Sequence, residues 1–415
     1  MNIELPDYVK TALTKLARNG YEAYIVGGSV RDGILGKSAH DWDICTNALP
    51  GEVLSCFKGL KVVETGVKHG TVTVFIGRSP VEITTFRVEG EYSDNRHPDK
   101  VEFVGSLKAD LSRRDFTINA MAYSPQSGFV DYFGGREDLL AGIIRCVGDA
   151  RQRFQEDALR ILRALRFASV FNFSIARETS AAIFSEKERL KTIPAERIMA
   201  EMKMLLCGTG AHTVLREHSG VIFVIIPRLR SLRERGIWER TLKSISAAPA
   251  DIQIRLAILL SHISDCKNPG RAAAEALRTL RYDNETIKTV SKLVSYRDCG
   301  INPDRICIKR WLNKAGEDIL RKLIALKRAV MHGGSGEDID RAERILDEIL
   351  REGLCFRLEQ LSVNGDDLIK SGVSEGPAVG HILNSLLDMV INEDIENHRV
   401  KLLEKAMELY KSKYK

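Results

Sequence analysis

The sequence predicts an α+β protein: a mixed sheet with helices over residues 1–140, followed by an elongated all-α neck, body and tail. Three observations predict it. Residues 1–140 alternate short β-rich runs with helical patterns and Gly/Pro turns, whereas residues 141–415 show little but helical periodicity. Charge divides at the same place, with 16 Lys+Arg against 19 Asp+Glu in residues 1–140, so that part carries net −3 while net +9 falls on the rest. Finally, 415 residues with 44% hydrophobic and 28% charged content suit a globular chain of several domains, not a disordered or fibrous one. A polyanion can lie along the basic part while the acidic part handles cations such as metal ions.

In chain order, the pattern predicts a helix near 6–18, a strand Tyr21–Val26, a Gly27–Gly28 turn opening a short helix, and a strand Asp41–Cys45. A helix near 50–58 follows, then strands near 60–64, 71–77, 80–87 and 101–104, separated by Gly66, Gly70, Gly77 and Pro80. The polar segment Glu89 to Lys100 reads as a mobile loop. Helices are expected near 155–170, 176–187, 194–207, 211–218 and 251–264, with Pro194 in a first turn and Gly208 after a last one. HGGSGED at 332–338 reads as a linker and GDD at 365–367 as a second break. The expected domains are a head at 1–140, a neck at 141–208, a body at 209–330 and a tail at 331–415.

Membrane insertion is not expected, because the longest apolar stretch, Val221 to Pro227, falls far short of the ~18 residues that cross a bilayer. Eight cysteines without a CxxC suggest neither a zinc site nor a disulfide framework, and read as reduced thiols of a cytoplasmic protein.

The strongest chemical signal is GGSVRDGILGKSAHDWDI at 27–44. A strand ending at a glycine pair lets backbone N–H groups approach a polyphosphate. If 41–45 is a strand, Asp41 and Asp43 point to one face beside that turn. Such a pair suits Mg²⁺, which takes one or two carboxylates plus substrate phosphates. The bland alternative is a pair that merely solvates a strand edge.

The GGS turn, the eleven-residue spacer and the DWDI pair resemble the nucleotidyltransferase superfamily that includes DNA polymerase β. The longer string is similar to class II tRNA nucleotidyltransferases, the CCA-adding enzymes, and to bacterial poly(A) polymerases. ETGVKHGTVTV, VEITTFR, RRDFTINAMAY, DYFGGREDL, RFQEDALRILRALRFA and PAERIMAEMKMLL follow in that family's order, over about the first half of the chain. Trp42 departs from the family's aliphatic residue but stays apolar.

The resemblance implies a polymerase β-like head in which Asp41 and Asp43 hold two Mg²⁺ ions and Glu82 stands near the primer 3′-hydroxyl. It implies nucleotide binding by Gly28, Ser29 and Arg31, supported by Gly27, with Arg114, Asp115 and Asn119 at the sugar and triphosphate. It further implies a nucleotide-reading helix with Asp157, Arg160, Arg163 and Arg166, in which Glu156 holds the Asp157–Arg160 pair in place. The substrates implied are CTP and ATP, and the partner is the acceptor arm and 3′ end of tRNA; oligomeric state is not implied.

The residues supply their own logic for that helix. Cytosine and adenine each present an amino donor beside a ring-nitrogen acceptor, so one carboxylate and one guanidinium can read either, while uracil and guanine present the opposite polarity. The alternative is an i,i+3 salt bridge between Asp157 and Arg160 on a solvated helix. His40–Asp41 lacks the further ligands a metal phosphohydrolase needs, and His69 reads as a structural residue or phosphate neighbour. The expected activity is template-independent CCA addition to tRNA with release of pyrophosphate. An A-adding enzyme or poly(A) polymerase is the nearest rival, and a catalytically silent RNA-binding module is less favoured by the intact acidic residues. ETGVKHGTVTV resembles the CCA-adding form, and EYSDNRHP at 91–98 fills the place of the flexible loop that CC-only enzymes are missing.

Overall fold

A computed structural model describes residues 3–39, 41–89, 101–263, 268–331 and 336–414. The loop expected at 89–100 lies outside these residues from Gly90 on, as do His40 and positions 332–335 of the expected linker. The chain divides into two compact units, one of residues 1–230 with 279–281 and one of 231–278 with 282–415.

The first unit opens with α1 (Asp7–Arg18), which buries Val9, Ala12, Leu13 and Leu16 on one stripe at helical spacing. Strand β1 (Ala23–Val26) is buried throughout and leads into the short helix α2 (Gly28–Ile34). β2 (Asp43–Thr46), α3 (Pro50–Cys56), β3 (Lys61–Val63), β4 (Thr71–Ile76) and β5 (Ser79–Thr85) follow. A separate hairpin pairs β6 (Arg87–Glu89) with β7 (Val101–Phe103), before α4 (Leu107–Ser112). β8 (Met121–Ser124), β9 (Gly128–Asp131) and α5 (Gly135–Ala141) complete the head.

Seven strands form one mixed sheet in the order β3-β4-β5-β2-β1-β8-β9. Only β2 and β5 run parallel, with Asp43 opposite Glu82; the other neighbours are antiparallel. Within this sheet two strands lie where the sequence predicts none. Met121–Ser124 is buried at all four positions, so no polar alternation marks it, and Gly128–Asp131 is only its hairpin partner.

Helices α6 (Ala150–Glu156), α7 (Leu159–Phe171), α8 (Arg177–Glu186) and α9 (Ala195–Cys207) continue the first unit. The single helix expected at 155–170 is thus two helices, broken at Asp157, whose backbone is extended at φ −138° and ψ 105°. The Asp157 carboxylate accepts from Leu159 N at 2.9 Å and so caps the start of the next helix.

The second unit is all helical. The helix Ile252–Leu260 is buried from Ile254 onward and forms part of its interior. Further along, Leu368, Leu386, Leu402 and Ala406 are fully buried in the core of residues 355–410. The break expected at GDD opens a helix, Gly365–Lys370, capped by the Asn364 side chain. No described helix is long and apolar enough to cross a membrane, and the seven described cysteines are free.

Candidate active site

β1 ends at Val26, and Gly27 turns the chain with φ +73°, a conformation that side-chain-bearing residues rarely adopt. The Ser29 hydroxyl ties the turn back by donating to Val26 O at 3.1 Å. Beside this turn opens a cavity of about 740 Å³, lined by eight arginines against five aspartates. That balance suits a polyanion.

The cavity brings most of the expected residues together. Gly27, Gly28, Ser29 and Arg31 line it from the turn, Asp43 from the start of β2, and Asp41 from just before that strand, which begins two residues later than expected. Arg114, Asp115 and Asn119 come from the segment after α4, and Asp157, Arg160, Arg163 and Arg166 from the helical side. Glu82 and Glu156 are not in the lining. Glu82 stands beside Asp43 through the β2–β5 register, where parallel neighbours share a face.

The acidic corner favours a cation. Desolvation by the cleft walls raises the Asp43 pKa, and the charges of Glu82 and Asp41 raise it further against the pull of Arg114. Asp43 and Asp41 are nonetheless exposed and line the cleft, and Glu82 is exposed on the neighbouring strand outside that lining. Among the described residues no group of three or more His, Cys, Asp or Glu side chains is placed to hold a metal ion. Mutually repelling carboxylate oxygens that leave ligand positions open fit Mg²⁺, which keeps waters and phosphates in its shell.

The arginines are held from behind. Asp110, wholly buried, takes Arg113 at 2.8 Å and Arg114 at 3.3 Å. Burial would raise its pKa, but the two guanidiniums outweigh it and lower it. Asp115 accepts from Arg163 Nε and Nη2 at 2.8 and 2.6 Å and from Asn119 Nδ2 at 3.1 Å. Burial again opposes, yet Arg163 and the Asn119 bond bring its pKa down to about 2. Arg166 pairs with Glu201 at 2.6 Å.

Asp157 and Arg160 do not pair with each other. Arg197, from α9, donates to Asp157 Oδ2 at 3.1 Å. Arg160 pairs with Glu156 at 2.8 Å and donates to Arg113 O at 3.1 Å. Glu156 therefore holds Arg160 and, at 2.7 Å, Arg153, but not Asp157, which has its own partner in Arg197.

Sequence reasoning missed Arg197, Asp32, Phe167 and Arg87 as lining residues and Asp110 as a support. Asp110 was findable, since it precedes Arg113 and Arg114 at helical spacing of three and four. Arg197 carried no such signal, because its partner lies 40 residues away.

Comparison with known proteins adds three matches along the chain. Residues 23–145 match the family described as Poly A polymerase head domain, 172–233 the probable RNA and SrmB-binding site of polymerase A, and 257–406 the putative tRNA nucleotidyltransferase domain 2. A CCA-adding enzyme from Levilactobacillus brevis is 35% identical over 411 residues, 96% of each chain. One from Lactiplantibacillus plantarum is 36% identical over 413 residues, covering 97% of this chain and 96% of its own. The crystal structure of the Bacillus stearothermophilus CCA-adding enzyme in complex with CTP is similar at a TM-score of 0.77 and 30% identity, covering 98% of both chains.

Proposed function

The chain belongs to the CCA-adding enzyme family, and from that membership and its cavity we propose that it completes and repairs the 3′-terminal CCA of tRNA from CTP and ATP without a template, releasing pyrophosphate. One observation supports this above others: a single arginine-lined cavity has the Asp41–Asp43 corner beside the Gly27–Ser29 turn and also contains Asp157 and Arg160.

Asp41 and Asp43 would hold two Mg²⁺ ions, and Glu82, opposite Asp43 on the adjoining strand, would stand near the primer hydroxyl. When bound, such ions lower the pKa of the attacking ribose hydroxyl and neutralise charge on the leaving pyrophosphate. The chain's own residues do the positioning. Gly28, Ser29 and Arg114 receive the triphosphate, and Asp115 and Asn119 the sugar. Asp157 accepts the amino group of cytosine or adenine while Arg160 donates to the ring nitrogen, so uracil and guanine meet mismatched polarity. The Arg197 and Glu156 contacts fix each reader independently of the other.

Residues 141–208 serve as the neck, and 209–330 and 331–415 as body and tail that grip the acceptor arm of tRNA by backbone shape. The reaction runs in the cytoplasm, in keeping with the free cysteines. The test is incorporation by purified protein with Mg²⁺ and tRNA lacking CCA, supplied with each labelled nucleoside triphosphate alone and in pairs. CMP addition from CTP alone, AMP addition only after CTP, and no UMP or GMP support the reading. AMP addition alone, or extended A tails, overturns it.

A further inference from the structure

Phe167 gathers three guanidiniums. Arg166 lies 3.8 Å from its ring centroid, Arg31 5.3 Å and Arg163 5.5 Å, while Phe116 packs edge-on at 5.8 Å. One helical turn on, Phe171 stacks on Phe167 with planes 4° apart, and Arg31 also lies over it at 4.8 Å. Each arginine has a carboxylate of its own: Asp32 for Arg31, Asp115 for Arg163 and Glu201 for Arg166.

Arg31 is the unexpected member. It follows the Gly28–Ser29 turn and lines the cavity, yet its Nη1 donates to Asn119 Oδ1 at 2.7 Å and its Nε to Asp32 at 2.9 Å. Arg31 is buried, 8% exposed as a residue, and its guanidinium lies over both rings. Donors committed in this way orient neighbours more than they grip a ligand. Arg31 belongs to the phosphate turn, whereas Phe167 and Phe171 belong to the helix that follows Asp157 and bears Arg160.

We propose that the Phe167–Phe171 ring pair is a positioning device for nucleotide selection, seating Arg31 so that the phosphate turn and the base-reading helix keep a fixed separation. A nucleotide anchored by its phosphates then presents its base edge to Asp157 and Arg160 at one depth, and a wrong base cannot slide to find other partners. This rests on the base-reading role of Asp157 and Arg160. A cation over an aromatic face is held by the ring quadrupole, which an aliphatic side chain of similar volume lacks.

The experiment compares Phe171→Leu, Phe171→Met and Phe171→Tyr in the full-length protein, with Asp157→Ala in parallel. The readouts are thermal midpoint and the kcat/KM ratio for CTP over UTP on tRNA lacking CCA. The expected result is a fall in that ratio of at least about threefold in the Leu and Met variants, with the Tyr variant like wild type. A smaller fall in folded Leu or Met protein, while Asp157→Ala loses discrimination, overturns the ring seat and leaves the base readers standing. An unchanged ratio in Asp157→Ala as well overturns both. A Tyr variant as impaired as Leu overturns the role of the ring face. Phe171 is only half-buried, and the Met variant stands in should the Leu variant fail to fold.

Discussion

Arg197 Nη2 lies 3.1 Å from Asp157 Oδ2, whereas Arg160, on the same stretch of chain as Asp157, turns to Glu156 at 2.8 Å. The two groups suited to read a base edge are each neutralised from behind and share no bond with one another. Removing Arg160 therefore leaves the Arg197–Asp157 pair intact, whereas Asp157 also caps the helix that bears Arg160.

Asp157→Ala is expected to lose discrimination between CTP and UTP, because the acceptor that rewards the 4-amino group is gone. Arg160→Ala instead lowers use of both CTP and ATP. A good pair of hydrogen bonds to a base is worth about 1–3 kcal/mol, so relative kcat/KM shifts roughly tenfold or more. Arg197→Gln gives a weaker form of the Asp157 phenotype. Single-nucleotide addition to tRNA lacking CCA and to tRNA ending in CC measures all three, and an unchanged CTP preference in folded Asp157→Ala protein would refute the assignment.

Asp41→Ala and Asp43→Ala each abolish incorporation of CMP and AMP while leaving tRNA affinity nearly unchanged. Loss of a metal ligand ordinarily costs several kcal/mol of transition-state stabilisation. More than a tenth of wild-type turnover in either variant refutes the metal assignment.

Gly27→Ala places a Cβ 3.2 Å from Arg114 Nη1 at a backbone φ of +73°. With ψ at −132° this is a conformation that essentially only glycine adopts, and forcing a side-chain-bearing residue into it costs about 1–3 kcal/mol. Stability falls by that order, and KM rises for CTP and ATP alike because Arg114 is displaced. Calorimetry and steady-state kinetics check the two halves separately.

Asp115 titrates at about 2 in the folded chain, below its ordinary 3.8. A depressed carboxylate pKa stabilises the fold fully above the unfolded value, and that stability drains away as pH falls through the folded one. Asp115→Asn accordingly costs on the order of 2 kcal/mol at neutral pH. The gap between variant and wild type narrows as pH falls from about 4 towards about 2, as denaturant melts across that window will show.

Reversing exposed charges in the helical unit, for example Lys243→Glu with Lys288→Glu, raises the KM for tRNA far more than that for CTP. Wild-type affinity falls steeply with salt, since Lys and Arg contacts release counterions from phosphate. Binding that stays flat between low and physiological salt speaks against an RNA role for this unit.

Legibility in the sequence followed the range of the physics involved. Strands β1 to β5 and α1 to α3 announce themselves through local runs and glycine turns, and their observed spans lie within a few residues of those expected. Asp41 and Asp43 both reach the cavity, but only Asp43 lies in a strand, so the alternation argued from a strand at 41–45 accounts for one acid and not the other. The break at Asp157 was hidden, because Leu159, Ile161, Leu162 and Leu165 continue an apolar helical pattern while the Asp157 side chain ends one helix and caps another. The Arg197–Asp157 and Arg31–Phe171 contacts join distant segments, and no local pattern encodes them.

The register that sets Asp43 against Glu82 is held by strand pairing, and the chain between them runs out through α3, β3 and the β4–β5 hairpin before it returns. Length in that excursion is thus uncoupled from the spacing of the two acids. Lineages descending from this sequence can gain or lose residues at the Gly77–Arg78 tip without disturbing chemistry, whereas one residue added within β2 or β5 turns an acid to the opposite face. Length change is therefore tolerated in the turns and not within these two strands, which makes the hairpin tip the natural port for grafting a reporter into the sheet.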